Sequence, residues 1–459
     1  MFFAFIFAGC VHYQPQPLAP EKSAAQLDAR RLDNAGLKNF VATNCPGKVV
    51  GWPPQKWDLD SLTLAAFYFH PDLAVARAQW LVAEAGAKTA GARPNPSVTA
   101  TPSYDSGISG NPSPWLIPVS LDIPIETAGK RGKRLAMAEK IAESAHWNFY
   151  SAAWQIRSSV RAALLEFSAA QQRAELLQKQ SAAENEIVRR LQQRLDAGSI
   201  SRPELTLVQI AADQTQLEFS GAQSKLADTR SRLAEALGLP LAALEGIQFD
   251  ADFSMVLSSS LTSGEARRAA LLGRSDIRAA LADYAAAEAD LRLQVAKQYP
   301  DLHLGPAYAW NNGSAGDSAW SLGVTLELPI LDQNQGPIAE AKAKRELAAA
   351  KFTQLQAQII GALDRAVCGL DAARSQLKTS GSLLDAAERQ QKSVAAQVQA
   401  GAAEQLDLLN AEMELNAVRL AQLAGSAQFQ SAVGALEDAL QRPADDFDAL
   451  KFLPAKSQP

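Results

Sequence analysis

The sequence predicts a mainly α-helical protein with a small membrane β part and two internal repeats in one chain. Three observations support this fold class. Segments match one another at an offset of about 204 residues, two Ala-rich stretches of roughly 65 residues have helical composition, and four short segments alternate apolar and polar residues. A helix of roughly 65 residues would extend on the order of 95 Å, so it must pack in a bundle or coiled coil.

The internal repeat is visible in several separate blocks. HPDLAVARAQWLVAEAGAKTAGARPNPSV at 70–98 matches RSDIRAALADYAAAEADLRLQVAKQYPDL at 274–302. LDAGSISRPEL at 195–205 matches VQAGAAEQLDL at 398–408, which aligns Gly198 with Gly401. Because the offset is nearly constant across these blocks, the two halves are predicted to be structurally equivalent.

Each half is predicted to contain a first helix, two strands, a very long helix and a return helix. The predicted bounds are about 60–92 and 264–297 for the first helices, 97–105, 115–125, 301–310 and 319–330 for the strands, and 133–196 and 337–399 for the long helices, with return helices ending near Leu237 and Leu440. The predicted segments are therefore a partial lipoprotein signal at 1–9, an N-terminal tether at 10–57, a first repeat at 58–240 with strands within about 97–125, a linker at 241–263, a second repeat at 264–443 with strands within about 301–330, and a tail at 444–459.

The strands explain why a helical protein keeps a small β part. Their alternating apolar residues would form one face, and Tyr and Trp lie at the ends nearest the connecting loops, which is typical of a transmembrane β-barrel. Because a bilayer does not tolerate open sheet edges, four strands cannot span it alone and several chains must close the barrel together. The alternative is a soluble β-domain with helices packed on its apolar face.

Composition excludes several classes of function. The net charge is −5 and no basic face is visible, which argues against nucleic-acid binding. The sequence contains no run of eighteen apolar residues, so no membrane-spanning helix is predicted. The three cysteines and four histidines are scattered, so we expect no metal site, no cofactor and no enzymatic activity. GKRGK at 129–133 lacks the pattern of a phosphate-binding loop. It is interpreted either as a solvated junction or as a contact with anionic lipid headgroups.

The first ten residues, MFFAFIFAGC, are an apolar run that ends in small residues and Cys10. This pattern is similar to the end of a bacterial lipoprotein signal and predicts lipidation of Cys10. The alternative is an ordinary signal peptide with an incidental cysteine. Both interpretations predict an exported protein.

These features together resemble the TolC-type outer-membrane efflux factor family. The strand-to-helix passages VSLDIPIETAGKRGKR and GVTLELPILDQNQG carry the resemblance, together with the turn segments around Gly198 and Gly401, and the first passage is most similar to the cobalt–zinc–cadmium efflux subgroup. The resemblance implies a homotrimer whose twelve strands form one outer-membrane barrel, continued by a long α-helical barrel in the periplasm of a Gram-negative bacterium. It also implies a periplasmic adaptor (membrane fusion protein) and an inner-membrane pump of the RND type, which deliver metal cations or small organic molecules to a passive duct.

The resemblance also assigns roles to residues at the periplasmic ends of the long helices. It implies a gate at Asp407, Asn410 and Glu204, without a closing salt link because Ala403 stands where relatives have a basic residue. It further implies that the adaptor docks on the tips, which are Gly198, Ser199, Ile200, Gly401, Ala402 and Ala403. The alternative for Asp407 and Glu204 is that each only stabilises the first turn of a return helix, where the helix dipole favours an anion.

Two other proteins could contain long helices of this kind. The first is a structural or adhesive surface lipoprotein with a long coiled coil, which needs neither two equivalent strand pairs nor two tip motifs. The second is a periplasmic adaptor, which needs a lipoyl-like β-domain beside one helical hairpin. The repeat and the alternating strands favour the efflux duct over both.

Overall fold

The structure is a computed structural model that describes residues 12–44, 51–107, 114–250, 264–311, 319–444 and 449–453. Ten α-helices are present in this part of the chain: α1 (Pro20–Asp28), α2 (Ala35–Asn44), α3 (Leu59–Phe69), α4 (Pro71–Ala90), α5 (Lys130–Asp196), α6 (Arg202–Leu237), α7 (Gly264–Gly273), α8 (Ser275–Ala296), α9 (Gln335–Gln399) and α10 (Gln405–Leu440). None of these helices is long and apolar enough to cross a lipid bilayer.

The long helices and their return helices have nearly equal lengths in the two halves. Helices α5 and α9 contain 67 and 65 residues, and α6 and α10 contain 36 residues each. Both long helices end where the sequence predicts, just before Gly198 and Gly401. The order of helices and strands is therefore the same in each half.

The first helix of each repeat is two helices, which corrects the prediction of one continuous helix. His70 separates α3 from α4 and has an extended ψ of 124°. The following Pro71 explains this break, because proline disfavours helical geometry in the residue before it. Arg274 separates α7 from α8 with a similar ψ of 143°, although no proline follows it.

The strands form one antiparallel sheet within a single compact unit of the chain. They are β1 (Ser97–Ala100), β2 (Ser103–Tyr104), β3 (Trp115–Ile125), β4 (Leu302–Asn311) and β5 (Ala319–Leu326). Strands β1 and β2 both pair with β3 and flank Pro102, which cannot donate a backbone hydrogen bond. Strand β5 ends four residues before its predicted end, because its last residue, Leu326, lies opposite Leu302, the first residue of its partner β4.

The strand register places the apolar residues on one face of the sheet, which confirms the interpretation of the alternating pattern. Val119 lies opposite Tyr308, Tyr308 lies opposite Trp320, and Leu304 lies opposite Val324. Many side chains of this face are exposed, including Val98, Trp310, Trp320, Leu322 and Val324. The other face carries small residues, among them Ser120 opposite Ala307 and Gly305 opposite Gly323. The sheet therefore presents an apolar surface that no part of its own described chain covers.

The described chain divides into two compact units, each with buried residues of its own. The first comprises Met1–His70, Ser159–Asp252 and Ala387–Leu423, and the second comprises Pro71–Ser158, Phe253–Ala386 and Ala424–Pro459. In the second unit, Ile359, Leu363 and Leu370 of α9 pack with Val433 and Leu436 of α10. The spacing of these residues places them on one face of each helix.

The segment predicted to be a tether contains two helices, α1 and α2, and packs in the first unit. Leu32, Leu37 and Val41 are buried. The Arg30 guanidinium donates to the carbonyls of Phe69 and Gly238 at 2.6 and 2.9 Å. Phe69 is the last residue of α3 and Gly238 follows the last residue of α6, where carbonyls lack intrahelical donors, so Arg30 satisfies acceptors that the helices leave open.

The second unit closes the equivalent corner with a residue of its own repeat. Arg274 aligns with His70, and its guanidinium donates to the carbonyls of Asp438 and Ala439 at 2.8 and 2.6 Å. Gln441 accepts the N–H of Ser275 at 2.8 Å and so caps the start of α8. The two halves of the chain thus use different residues to satisfy carbonyls at the ends of their return helices.

Candidate functional site

The two tips have the same backbone geometry. Gly198 and Gly401 have φ values of +74° and +73°, in the left-handed region that favours glycine. At each turn the N–H of the residue after the glycine donates to the carbonyl five residues earlier. Ser199 donates to Arg194 and Ala402 donates to Gln397, with a nitrogen–oxygen distance of 2.8 Å in both cases. This is the hydrogen-bond pattern of a helix that ends at a glycine, and it appears at the positions that the repeat aligns.

One apolar cluster in the first unit holds both tips together. Ile187 and Leu191 of α5 pack with Leu205 of α6 and Leu409 of α10. Ile200 of the first turn and Leu406 at the start of α10 pack against the same cluster. The structure therefore brings together the tips that sequence reasoning assigned to docking, within the compact unit that contains both.

The predicted gate residues are exposed and lie in the first turns of the return helices. The Asp407 carboxylate accepts the backbone N–H of Glu404 at 2.8 Å, and Glu204 accepts the hydroxyl of Ser201 at 3.0 Å. Asn410 lies one turn further along α10 and is also exposed. Asp407 thus makes a capping contact, which leaves its gate role as a prediction.

An ion pair that sequence reasoning missed joins the two tips. Arg194 of α5 contacts Glu404 of the second turn, with 3.0 Å between guanidinium nitrogen and carboxylate oxygen. Both side chains are exposed, so the pair contributes little to stability and is weakened by salt. The only sequence signal is that each residue lies within about one helical turn of a tip glycine.

The basic segment at 129–133 is a folded junction, which corrects its interpretation as a solvated loop. Lys130 is 7 % exposed and its ammonium group lies 2.8 Å from the Asp301 carboxylate. Arg134 pairs with Glu126 at 2.6 Å, and this hydrogen bond raises the pKa of Arg134. Burial alone would raise the pKa of the Asp301 carboxyl. The hydrogen bonds from Lys130 and from the Thr127 N–H lower this pKa by more, so it lies below its usual value. These carboxylates explain how a helix can begin with cations. Arg131 and Lys133 donate to the carbonyls of Gly91 and Ala128 and pair with no carboxylate in the described residues, so the contact with lipid headgroups stays a prediction.

One of the three cysteines and all four histidines lie in the described part of the chain. Cys10 and Cys45 lie outside the described residues, and Cys368 is exposed. His146 packs against Trp80 with ring centres 4.4 Å apart, and burial lowers its pKa. In the described ranges, no three His, Cys, Asp or Glu side chains form a group that could hold a metal ion.

The sequence profile of the family described as "Outer membrane efflux protein" matches residues 68–239 and 266–441 of the chain. The chain belongs to this family. The two matched segments correspond to the two halves of the fold, and the predicted TolC-type resemblance is confirmed. Membership also makes the protein a transport component of the outer membrane and not an enzyme, as predicted.

Individual relatives of this outer membrane efflux protein agree with the family match. The chain is 24 % identical over 323 residues to the cobalt-zinc-cadmium resistance protein CzcC of Cupriavidus metallidurans, covering 70 % of this chain and 76 % of the relative. The solved structure of VceC from Vibrio cholerae has a TM-score of 0.68 at 22 % identity, covering 84 % of this chain and 97 % of that one. CusC has a TM-score of 0.65 at 18 % identity, covering 85 % and 94 %. At these identities the solved structures show that the fold is shared.

Proposed function

We propose that the protein is the outer-membrane exit duct of a tripartite efflux system in a Gram-negative bacterium. The observation that supports this most directly is a sheet with one uncovered apolar face in a member of the outer membrane efflux protein family. An apolar sheet face suits contact with lipid, and the face of small residues suits a water-filled lumen. The rival, an adhesive surface lipoprotein with a long coiled coil, does not account for the family match.

Three copies of the chain would complete the barrel. Strands β1 and β5 are the sheet edges, and their unpaired N–H and C=O groups cost several kcal/mol each in lipid. Since β1 and β2 form one interrupted strand, each chain supplies four strands and a trimer supplies twelve. The long helices would continue this barrel into the periplasm, where a periplasmic adaptor and an RND-type inner-membrane pump would load it.

We expect the folded protein to be a trimer. The reason is that an isolated sheet would expose two open edges to lipid. Native mass spectrometry in mild detergent measures the oligomeric state. A stable folded monomer that retains its secondary structure would contradict the proposed barrel.

Metal cations are the favoured substrate, because the curated relative is named for cobalt, zinc and cadmium resistance. Small organic molecules are the alternative, since a passive duct carries what its pump delivers. To distinguish the two, the protein is expressed in a strain that lacks its own exit duct. Growth of this strain is then measured on zinc and on organic toxicants. Tolerance restored only to organic compounds would reject the metal assignment.

We also propose that lipidation of Cys10 anchors the N-terminus as an auxiliary to the barrel, since a single acyl chain binds membranes only marginally. Metabolic labelling with a palmitate analogue should mark the protein, and Cys10→Ala should remove the label. An unlabelled wild-type protein would rule out this anchor.

We expect Asp407→Asn to reduce cation preference in single-channel recordings. Three Asp407 carboxylates at the narrow end of the duct would attract cations, and salt would screen the effect beyond about 8 Å. Asparagine retains an oxygen that can accept the Glu404 N–H, so the substitution removes the charge and keeps the cap.

The gate assignment has two comparison variants. Glu204→Gln should act in the same direction but more weakly, and Asp213→Asn removes a carboxylate from an exposed position further along α6. Only Asp213→Asn should leave selectivity unchanged. Identical selectivity in wild type and Asp407→Asn would leave Asp407 with its capping role alone.

A further inference from the structure

His303 and Asp122 form a pair on the small-residue face of the sheet. His303 lies on β4 and Asp122 on the neighbouring β3. The imidazole Nδ1 lies 3.0 and 3.1 Å from the two carboxylate oxygens of Asp122. The side chains are 40 % and 47 % exposed, so solvent reaches the pair.

This pair is the only charge-bearing feature of the described strands. Apart from Asp122 and His303, their residues are apolar or neutral polar side chains. On the same face, Thr325 lies opposite His303, and Ser120, Ala307 and Ser321 continue along the neighbouring strands. A charged pair among small neutral side chains is the strongest local determinant of which ions approach that face.

A groove of about 820 Å³ lies beside His303, where the sheet meets the helices. Two of its acids are already neutralised, Asp301 by Lys130 and Glu126 by Arg134. Its remaining charged lining residues are Glu327, Asp332 and Lys297. Together with Asp122, the uncompensated charge near His303 is negative and favours a cation.

We infer that His303 and Asp122 form a weak binding site for a divalent transition-metal cation on its way through the barrel. Imidazole nitrogen is a ligand that zinc and cobalt accept and that magnesium and calcium do not favour, so Nε2 of His303 would be the ligand and Asp122 its orienting partner. When Nδ1 donates its proton to Asp122, the lone pair stays on Nε2, which is the arrangement that orients histidine ligands in metal sites. This inference rests on the proposed duct and narrows its substrate class to metal cations.

Weak binding is what a duct requires. A conducting site must attract the ion and then release it, so a complete cage of three or four protein ligands would trap the cargo. One ligand from each chain, the Nε2 of His303 oriented by Asp122, leaves the other coordination positions to water.

The first test measures zinc binding to the full-length protein in detergent by isothermal titration calorimetry. We expect saturable binding to wild type that is at least tenfold weaker in His303→Gln and in Asp122→Asn. The matched controls are His12→Gln and Asp105→Asn, which alter exposed side chains that are not part of the pair and should bind like wild type. Equal affinity in all five proteins would overturn the inference, as would equal binding of magnesium to the wild type.

The second test needs no variant and remains decisive if a substitution prevents folding. Zinc should protect His303 of the wild type from modification by diethyl pyrocarbonate, measured by mass spectrometry of its peptide, and should leave His12 reactive. An unprotected His303 would overturn the site. Conductance in planar bilayers, recorded in parallel, separates the two proposals. A conducting protein without zinc protection keeps the duct and loses the site, whereas a protein that does not conduct loses the duct.

Discussion

Glu437→Gln is expected to destabilise the second compact unit by about 3–5 kcal/mol, the usual cost of removing one charge from a buried ion pair. Arg157 of α5 and Glu437 of α10 are 3 % and 1 % exposed, and their charged groups are 3.3 Å apart. Glutamine preserves the side-chain shape and can still accept the Ala444 N–H, which contacts the other carboxylate oxygen of Glu437 at 2.5 Å. The change therefore isolates the lost charge.

The surroundings of the pair explain why water cannot compensate for that loss. The Arg157 guanidinium lies over the Trp154 ring at 5.2 Å from its centre, and the Trp154 indole donates to Asp438 at 3.0 Å. Ser158 donates to the same carboxylate at 2.6 Å. This network joins α5 to α10 on one side of the unit, so a weakened pair should loosen both helices together.

An exposed ion pair of the same unit provides the matched control. Arg267 and Asp364 are only 2.7 Å apart, but their side chains are 47 % and 57 % exposed. Asp364→Asn should cost below about 1 kcal/mol, since exposed pairs contribute little. Chemical denaturation in detergent, followed by circular dichroism, measures both variants. Equal losses of unfolding free energy in the two variants would show that burial does not determine the strength of the Arg157–Glu437 pair.

Replacing both tip glycines by valine is expected to abolish export while the trimer and its membrane insertion persist. A β-branched residue at the φ of Gly198 or Gly401 is strained by about 1–3 kcal/mol, because the left-handed region is unfavourable for it. An added Cβ would meet no other atom within 4 Å at either position. Strain would therefore reshape the turns without disturbing the packing around them.

Two control variants distinguish the effect of backbone strain at the tips from the effect of adding a side chain. Asparagine tolerates the left-handed region, so the double Gly→Asn variant should retain most export. The double variant Gly221→Val and Gly381→Val adds the same side chains at helical glycines with ordinary φ and open space. Metal tolerance of a strain that carries the cognate adaptor and pump measures export. Full tolerance with valine at both tips would reject the docking assignment.

Local patterns in the sequence were sufficient to predict the main elements. Period-two alternation identified the strands, and the tip glycines marked the ends of α5 and α9, because both signals depend on backbone geometry within a few residues. The break before Pro71 had a local signal that was overlooked. The equivalent break at Arg274 had none, since it depends on contacts with residues near the end of α10.

The candidate sites depend on pairs that are distant in sequence. Arg157 and Glu437 are separated by 280 positions, and Asp122 and His303 by 181. Neither residue of such a pair identifies its partner from spacing alone. The helices of the N-terminal segment were missed for a related reason, because α1 has no buried residue and α2 has only Leu37 and Val41. Too few apolar positions repeat there to produce a visible period.

The two arginine-closed corners have a consequence for rearranging this chain. The second segment that the family profile matches contains its own corner residue, Arg274. The first depends on Arg30, which lies ahead of the matched segment 68–239. The two segments therefore cannot be exchanged as self-sufficient parts. A circular permutant opened between them must keep the Arg30 segment directly ahead of the first matched segment.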